Sequence, residues 1–381
     1  MPTSTPPIPR VRLRDLGLFV GKLPTGPTNS ITDVPNVTSG HATVWRDEAP
    51  PPNGRGVART GVTAIVPFDA AALFDDRVAA GMSVLNGAGE MTGSLAIAEW
   101  GVLETPIFLT STMAVGRVFD GAITELAARV PRIGLDDAVI PVVGECDDGF
   151  LNDSRTVQIA VDDVARALAD AAARSPGPAP EGAVGAGTGM VAFELKGGIG
   201  SSSRMVGAWT VGVLVLANFG RLDRLTVDGV PVGAELVGSG WAADHLEERT
   251  RHDQGSCIGV VATDAPLAPD QLRRLAVRSG LGLARTGSYA GHYSGEIFIA
   301  FSTGTRLPRR AESAVIATTR VAEEALDGLF EAAVDATEEA VLNALCVADT
   351  VVGLGGRSVP GLPLRRVVDI LNAHGKTASM P

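Results

Sequence analysis

Two polar clusters, each heading an apolar run, carry the chemistry this sequence offers. Ser256 follows Gly255 directly and precedes Cys257 to Ala262, whose length and β-branched content suit a buried strand. Further on, Ser294-Gly295-Glu296 leads into Ile297 to Phe301, a second strand by the same pattern. If the strands are neighbours, the two clusters meet. A serine hydroxyl is a poor nucleophile at neutral pH and needs a base. Histidine is the usual one, but the chain has only 5, none in a triad context, and Gly255-Ser-Cys-Ile-Gly259 lacks the first spacing of Gly-x-Ser-x-Gly. A Ser-His-Asp hydrolase is therefore disfavoured. A different solution uses an exposed Gly-Ser bond: Ser256 attacks the carbonyl of Gly255, the acyl group moves from nitrogen to oxygen, and water cleaves the ester. The freed α-amine of Ser256, with an ordinary pKa of about 7.7–8.0, then serves as base beside its own hydroxyl.

Other stretches could supply the remaining parts. Asn218 ends the apolar strand pattern from Thr210 to Ala217, where it is either a turn former or an amide donor for an oxyanion. Glu145, Asp147, Asp148 and Asp153 fall in one short loop. That loop is a solvated or calcium-like oxygen cluster, or a pocket for a substrate ammonium. The glycines of Asn86-Gly-Ala-Gly-Glu-Met-Thr-Gly93 suit a turn that lets two sheets pack closely better than an anion cradle, because no Lys-Ser/Thr follows and the dinucleotide spacing is absent. Gly182 to Met190 and Lys196 to Arg204 resemble a phosphate loop at first sight, but the order of Lys and glycines is wrong for one. Small residues that let strands or a substrate backbone approach are the better account.

Strands and helices must hold these groups in place. Strand patterns occur at Ile31 to Val37, Thr63 to Pro67, around Met82 and at Val139 to Val143. Helical spacing occurs at Val115 to Val130, Val157 to Leu168, from Pro269, over Ala311 to Ala325, over Leu326 to Cys346 and at Leu364 to Leu371. Asp228-Gly229 centres a hairpin, Pro-rich pieces near residues 49–56 and 174–180 are surface loops, residues 1–10 form a loose arm, and Gly238 to Gly255 reads as an exposed, flexible segment. Such alternation lets helices cover both outer faces of stacked sheets.

The totals narrow the class. Across 381 residues the 45% apolar fraction is spread evenly with no long linker, so one large layered domain fits as well as two. A net charge of -11 argues against a nucleic-acid partner, which needs clustered Lys and Arg. Three widely spaced cysteines, Cys146, Cys257 and Cys346, suggest neither a disulfide framework nor a zinc site. The N-terminus lacks the pattern of a secretion signal and no apolar run reaches a membrane span, so the chain reads as soluble and cytoplasmic.

A set of motifs in order narrows it further. Ile31-Thr-Asp-Val-Pro, Arg59-Thr-Gly-Val-Thr-Ala-Ile, Leu85-Asn-Gly, Gly89-Glu-Met-Thr-Gly, Gly185-Ala-Gly-Thr-Gly-Met, Lys196-Gly-Gly-Ile-Gly, Ala217-Asn-Phe-Gly, Gly255-Ser, Ala262-Thr-Asp-Ala-Pro, Arg285-Thr-Gly-Ser and Ser294-Gly-Glu resemble the P1 family of peptidases. That family holds the L-aminopeptidase/D-Ala-esterase/amidase and the β-peptidyl aminopeptidases, and the similarity runs from about Arg12 to Leu371. The resemblance implies a four-layer α/β/β/α sandwich, like that of the N-terminal-nucleophile hydrolases but with different strand connectivity. It further implies a precursor that cuts itself between Gly255 and Ser256, leaving residues 1–255 and 256–381 as two parts of one domain. On that basis Ser256 is the nucleophile, Ser294 and Glu296 orient and tune its amine, Asn218 helps form the oxyanion hole and Glu145 holds the ammonium of a small peptide, amide or ester substrate. No cofactor or metal is implied, and αβ units assemble into a tetramer. Family members commonly have Thr after the glutamate of the acidic loop; here Cys146 and Asp147 follow, which bears on side-chain preference. An acyltransferase of the ornithine acetyltransferase type is the alternative activity, although those enzymes use Thr. In the remaining alternative the chain is an unprocessed, non-catalytic binding protein.

Overall fold

In the computed structural model of the chain, residues 10–246 and 255–381 are described, together with the backbone alone of Gln254. The expected arm over residues 1–10 lies outside them except for Arg10, as does the 247–253 part of the expected flexible segment. In chain order the strands are β1 (Val37–Asp47), β2 (Val57–Pro67), β3 (Asp76–Gly87), β4 (Val102–Leu103), β5 (Ile107–Ser111), β6 (Val142–Cys146), β7 (Val191–Ala192), β8 (Leu195–Lys196), β9 (Gly198–Val206), β10 (Trp209–Asn218), β11 (Gln254–Thr263), β12 (Tyr293–Pro308), β13 (Val351–Val352) and β14 (Ser358–Val359). The helices are α1 (Ser94–Trp100), α2 (Val115–Arg129), α3 (Asp162–Ala173), α4 (Val232–Gly238), α5 (Trp241–His245), α6 (Pro269–Arg285), α7 (Leu326–Val347) and α8 (Leu364–Ala373). One sheet has the order β1-β2-β5-β6 and the other β4-β3-β12-β11-β10-β9.

Strand alternation explains why these sheets stack. In β10, Leu214 and Leu216 join the core between the sheets, whereas Val211, Val213 and Val215 join the core under the helices. Ile258, Val260 and Ala262 of β11 and Ile297, Ile299 and Phe301 of β12 likewise meet Ile65, Ile107, Leu109 and Val142 of the other sheet. With both faces buried, the inner strands read as near-continuous apolar runs. Helices α6 and α7 cover the larger sheet, and α2 and α3 pack their Val118, Ala122, Val164 and Leu168 on the smaller one. The result is the four-layer α/β/β/α sandwich expected from the sequence. The larger sheet draws strands from both sides of Gly255, and β11 lies between β10 and β12.

Three expectations change. Ile31–Asp33 is a single turn of 3-10 helix, capped by Ser30 and Asp33, and β1 begins only at Val37. Asp33 takes hydrogen bonds from the Thr28 and Ser30 backbones and from Ser203 Oγ, so local polar bonding displaces the strand. Residues 311–320 form no helix and are exposed throughout; they present no apolar face to bury, and Val315, Ile316, Thr318 and Thr319 are β-branched. Within the polar segment after Gly238, α5 is anchored by the buried Trp241, which stacks on His245 at 4.7 Å. The Asp-Gly hairpin forms as expected, with Val227 bridged to Val230 and positive φ at both Asp228 and Gly229.

Candidate active site

The two polar clusters lie on adjacent parallel strands. Gly255 is in register with Ser294, Ser256 with Gly295 and Cys257 with Glu296, while on the other side Ser256 pairs with Asn218 of β10. Ser256 has the parity of Ile258 and Asn218 that of Leu216, so both side chains point between the sheets. The Gly255–Ser256 bond is less exposed than expected: Gly255 is half-buried and Ser256 keeps 4% of its surface, because both lie in the inner strand β11.

Ser294 and Glu296 have the opposite parity to Ile297, so their side chains lie on the helix side of the sheet with Cys257. The hydroxyl of Ser256 and the carboxylate of Glu296 thus face opposite ways. The backbone of Ser256, in the plane of the sheet, separates the two faces. Ser294 Oγ donates to Glu296 Oε1, whereas Glu296 Oε2 is buried without a hydrogen-bond partner. Burial pushes the Glu296 carboxyl above the usual range, against the opposing bond from Ser294.

Asn218 is fixed at both ends. Its Oδ1 accepts from Val191 N at 2.8 Å and its Nδ2 donates to Asp147 O at 2.9 Å, which leaves one Nδ2 hydrogen beside Ser256. From the opposite sheet Cys146 reaches the same space: its Sγ donates to Leu216 O at 3.7 Å and lies within hydrogen-bond reach of the Ser256 hydroxyl. Burial and the nearby Glu145 charge keep that thiol well above its ordinary pKa, hence uncharged, despite the Ser256 contact.

Glu145 comes to the cluster by way of the Gly-rich turn after β3. Ala88 and Gly89 cross over Gly295, where a Cβ would stand 2.6 Å from Ala88 O, so the crossing requires glycine there. A Cβ on Gly89 would touch both Glu145 Oε1, at 3.2 Å, and Gly295 Cα, at 3.6 Å. The turn then docks on the edge of β6 through a Met91–Gly144 bridge, so it links the sheets rather than cradling an anion. Glu145 Oε1 accepts from Glu90 N at 2.9 Å and Oε2 from Thr112 Oγ1. Burial raises its pKa, with those two bonds opposing.

The other carboxylates diverge. Asp148 is buried against Ser111 Oγ at 2.9 Å and Asn152 Nδ2 at 3.0 Å and is pushed up to about 6 by burial; Asp153 pairs with Arg155 at 2.8 Å; Asp147 is exposed. Among the described residues no group of three or more His, Cys, Asp or Glu side chains is placed to hold a metal ion. Lys196 binds backbone carbonyls, so its glycine-rich surroundings present oxygens to a cation and not N–H groups to a phosphate. Thr112 and the Glu90 N–H, which hold Glu145, are not among the groups the sequence singles out. Thr112 directly follows β5, in a 3-10 turn ahead of α2, and only the fold shows that β5 delivers it beside β6.

The α/β/β/α sandwich that holds this buried serine, the amide in register with it and the buried carboxylate one strand away is the fold of the N-terminal-nucleophile hydrolases. The family model described as Peptidase family S58 matches residues 29–359. The beta-peptidyl aminopeptidase BapA of Sphingosinicella xenopeptidilytica is 41% identical over 95% of this chain and 91% of its own length. Among solved structures, a Burkholderia sp. beta-aminopeptidase superposes with a TM-score of 0.85 at 40% identity, covering 96% of this chain and 99% of that one. The L-aminopeptidase D-Ala-esterase/amidase of Ochrobactrum anthropi, described as a variant of the Ntn hydrolase fold, does so at 0.87 and 37% identity, with the same coverage. This chain belongs to peptidase family S58 and is a hydrolase of the aminopeptidase/amidase kind.

Proposed function

We propose that the chain cuts itself between Gly255 and Ser256 and then works as a serine aminopeptidase on small peptides, amides or esters with a free amine. The observation that carries this reading is Glu296. It is 0% exposed, it takes the Ser294 hydroxyl on one oxygen, and it leaves the other unpartnered one strand away from the Ser256 nitrogen. A buried, unpaired carboxylate oxygen is costly. Cleavage supplies its partner: the neutral amide nitrogen of Ser256 becomes an amine, which as an ammonium is a cation in that position.

In the first step Ser256 Oγ attacks the Gly255 carbonyl carbon, the C–N bond breaks, and the nitrogen takes the hydroxyl proton, leaving an ester. Water hydrolyses the ester to the Gly255 carboxylate and restores the Ser256 hydroxyl beside a free α-amine. In turnover the neutral amine accepts the Oγ proton as Oγ attacks the substrate carbonyl, and the leaving group takes that proton. The spare Nδ2 hydrogen of Asn218 serves the developing oxyanion. A second water releases the acyl group.

Glu145, whose carboxylate lies beside the Gly89 turn that crosses Gly295, receives the substrate ammonium. The names of the relatives support residues bearing α- or β-amines as the substrate class. Association of αβ units into tetramers follows the family resemblance. A cytoplasmic location accords with three cysteines that are free and buried, and no helix of the described residues is long and apolar enough to cross a membrane. Hydrolysis of L-, D- and β-aminoacyl p-nitroanilides by wild type and S256A tests the nucleophile and the substrate class together. The variant is expected to be inactive on all three. Retained hydrolysis would remove Ser256 from the mechanism.

A further inference from the structure

Lys196 is fully buried in the two-residue ribbon of β7 and β8, in register with Val191. Its Nζ donates to Gly187 O at 2.9 Å, Met190 O at 2.7 Å and Gly197 O at 2.8 Å. Three carbonyls around one nitrogen match the three donors of an ammonium; a neutral amine would turn a lone pair on one of them. Burial lowers the pKa of this group to about 7, and the charge of Asp148 opposes that shift.

Two of those carbonyls, Gly187 and Met190, belong to the glycine-rich stretch that ends at Val191. The Val191 N–H is the group that holds Asn218 Oδ1. The same stretch is pinned from its other side, since Gly197 N donates to Met190 O at 3.1 Å and a Cβ on Gly189 would stand 2.2 Å from Arg59 O. Asn218 is therefore oriented through a short chain: ammonium, gathered carbonyls, Val191 N–H, amide oxygen. If Oδ1 lost that donor, the amide could rotate about its terminal torsion, which is soft, and its N–H would leave the oxyanion position.

We infer that Lys196 is a positioning residue for the reaction: by gathering the carbonyls of Gly187, Met190 and Gly197 it sets the Val191 N–H that aims Asn218 at the oxyanion. The inference rests on the oxyanion role proposed above for Asn218. Acting through Asn218, Lys196 affects the transition state and leaves the Glu145 side of the substrate site untouched.

The test is a double-mutant cycle of K196M and N218A, reading kcat and KM on an aminoacyl p-nitroanilide per mole of cleaved enzyme, with thermal unfolding as the check on folding. N218A is expected to lower kcat by about 10²–10³, the range for loss of one oxyanion donor. K196M should lower kcat by roughly 10- to 100-fold with KM within about twofold. In the N218A background K196M should cost no more than about twofold further, because residues acting in one chain are not additive. K196Q keeps two N–H donors, so it should recover part of the kcat, and it carries the cycle should K196M not fold. Multiplicative losses, or a rise in KM with kcat unchanged, would overturn the positioning role while leaving Asn218 in place. Wild-type kcat in N218A would remove the oxyanion assignment itself, and the inference with it.

Discussion

Two fully buried glutamates are satisfied in opposite ways. Glu339 of α7 is saturated: Arg14 Nε and Asn29 Nδ2 donate to Oε1, and Arg14 Nη2 and Arg204 Nη2 to Oε2 at 3.0 and 2.6 Å. Burial drives its carboxyl up, but Arg14, Arg204 and Asn29 outweigh burial and hold it below the usual range. Glu296 is equally buried, yet it has one hydroxyl, no cation and a raised pKa. A folded protein keeps such a deficit where function needs it. Glu339 also joins the two pieces that cleavage would make, since Arg14, Asn29 and Arg204 precede Gly255 and Glu339 follows it.

Breaking the saturated site should give the larger effect on stability. E339A leaves Arg204 buried without its partner, and loss of one member of such a pair costs about 3–5 kcal/mol. Chemical denaturation should therefore show a large drop in midpoint. In contrast, E296Q placed in the uncut S256A chain should unfold within about 1 kcal/mol of S256A, or be more stable, because there it replaces a buried charge that no ammonium partners. In the chain with Ser256 intact, E296Q should lower activity by roughly 10²–10⁴, the range for general acid-base groups. Equal stability losses in the two variants would erase the distinction.

The pH dependence of stability sharpens the comparison, with opposite signs at the two sites. Glu339, with a lowered folded pKa, contributes stability that is present above its unfolded pKa and lost as pH falls through the folded one. Glu296, with a raised folded pKa, contributes below its unfolded pKa and loses that contribution as pH rises through the folded one. The deficit of E339A relative to wild type should therefore shrink on acidification. In the uncut S256A chain any gain from E296Q should grow as pH rises through the raised range of Glu296 and vanish below its unfolded pKa. Denaturation midpoints from about pH 4 to 8 check both.

A smaller effect belongs to the substrate end. E145Q should raise KM about tenfold for free-amine substrates, with little change on N-blocked ones. In wild type the same KM should rise as pH falls through the raised range of Glu145, earlier than an ordinary carboxylate would allow. A KM equally affected on blocked substrates would contradict the ammonium role.

Much of the fold and of the site is legible in the sequence, for definite physical reasons. The strands carrying Ser256, Asn218 and Glu296 are inner strands buried on both faces, so their apolar runs and polar ends stand out. Parity between them is not legible: the facing of Ser256 against Glu296 depends on the parallel register of β11 and β12, which neither strand encodes alone. Residues 311–320 are read as part of a helix but present no apolar face to bury, and in water composition alone does not hold a helix. The order of Lys196 and its glycines excludes a phosphate loop, but it does not say what the ammonium binds. Which backbone atoms face the ammonium, here carbonyls, is decided by the turns that Gly185 to Gly189 and the ribbon of β7 and β8 make.

The central claim is that Ser256 becomes an N-terminal nucleophile whose new amine completes the unsaturated site. Intact-mass measurement of purified wild type and S256A after incubation tests it most directly. Two wild-type species are predicted, one ending at Gly255 and one beginning at Ser256, and a single uncut chain for S256A. An uncut wild type that hydrolyses aminoacyl amides, or an S256A chain that cuts at the same bond, would contradict it.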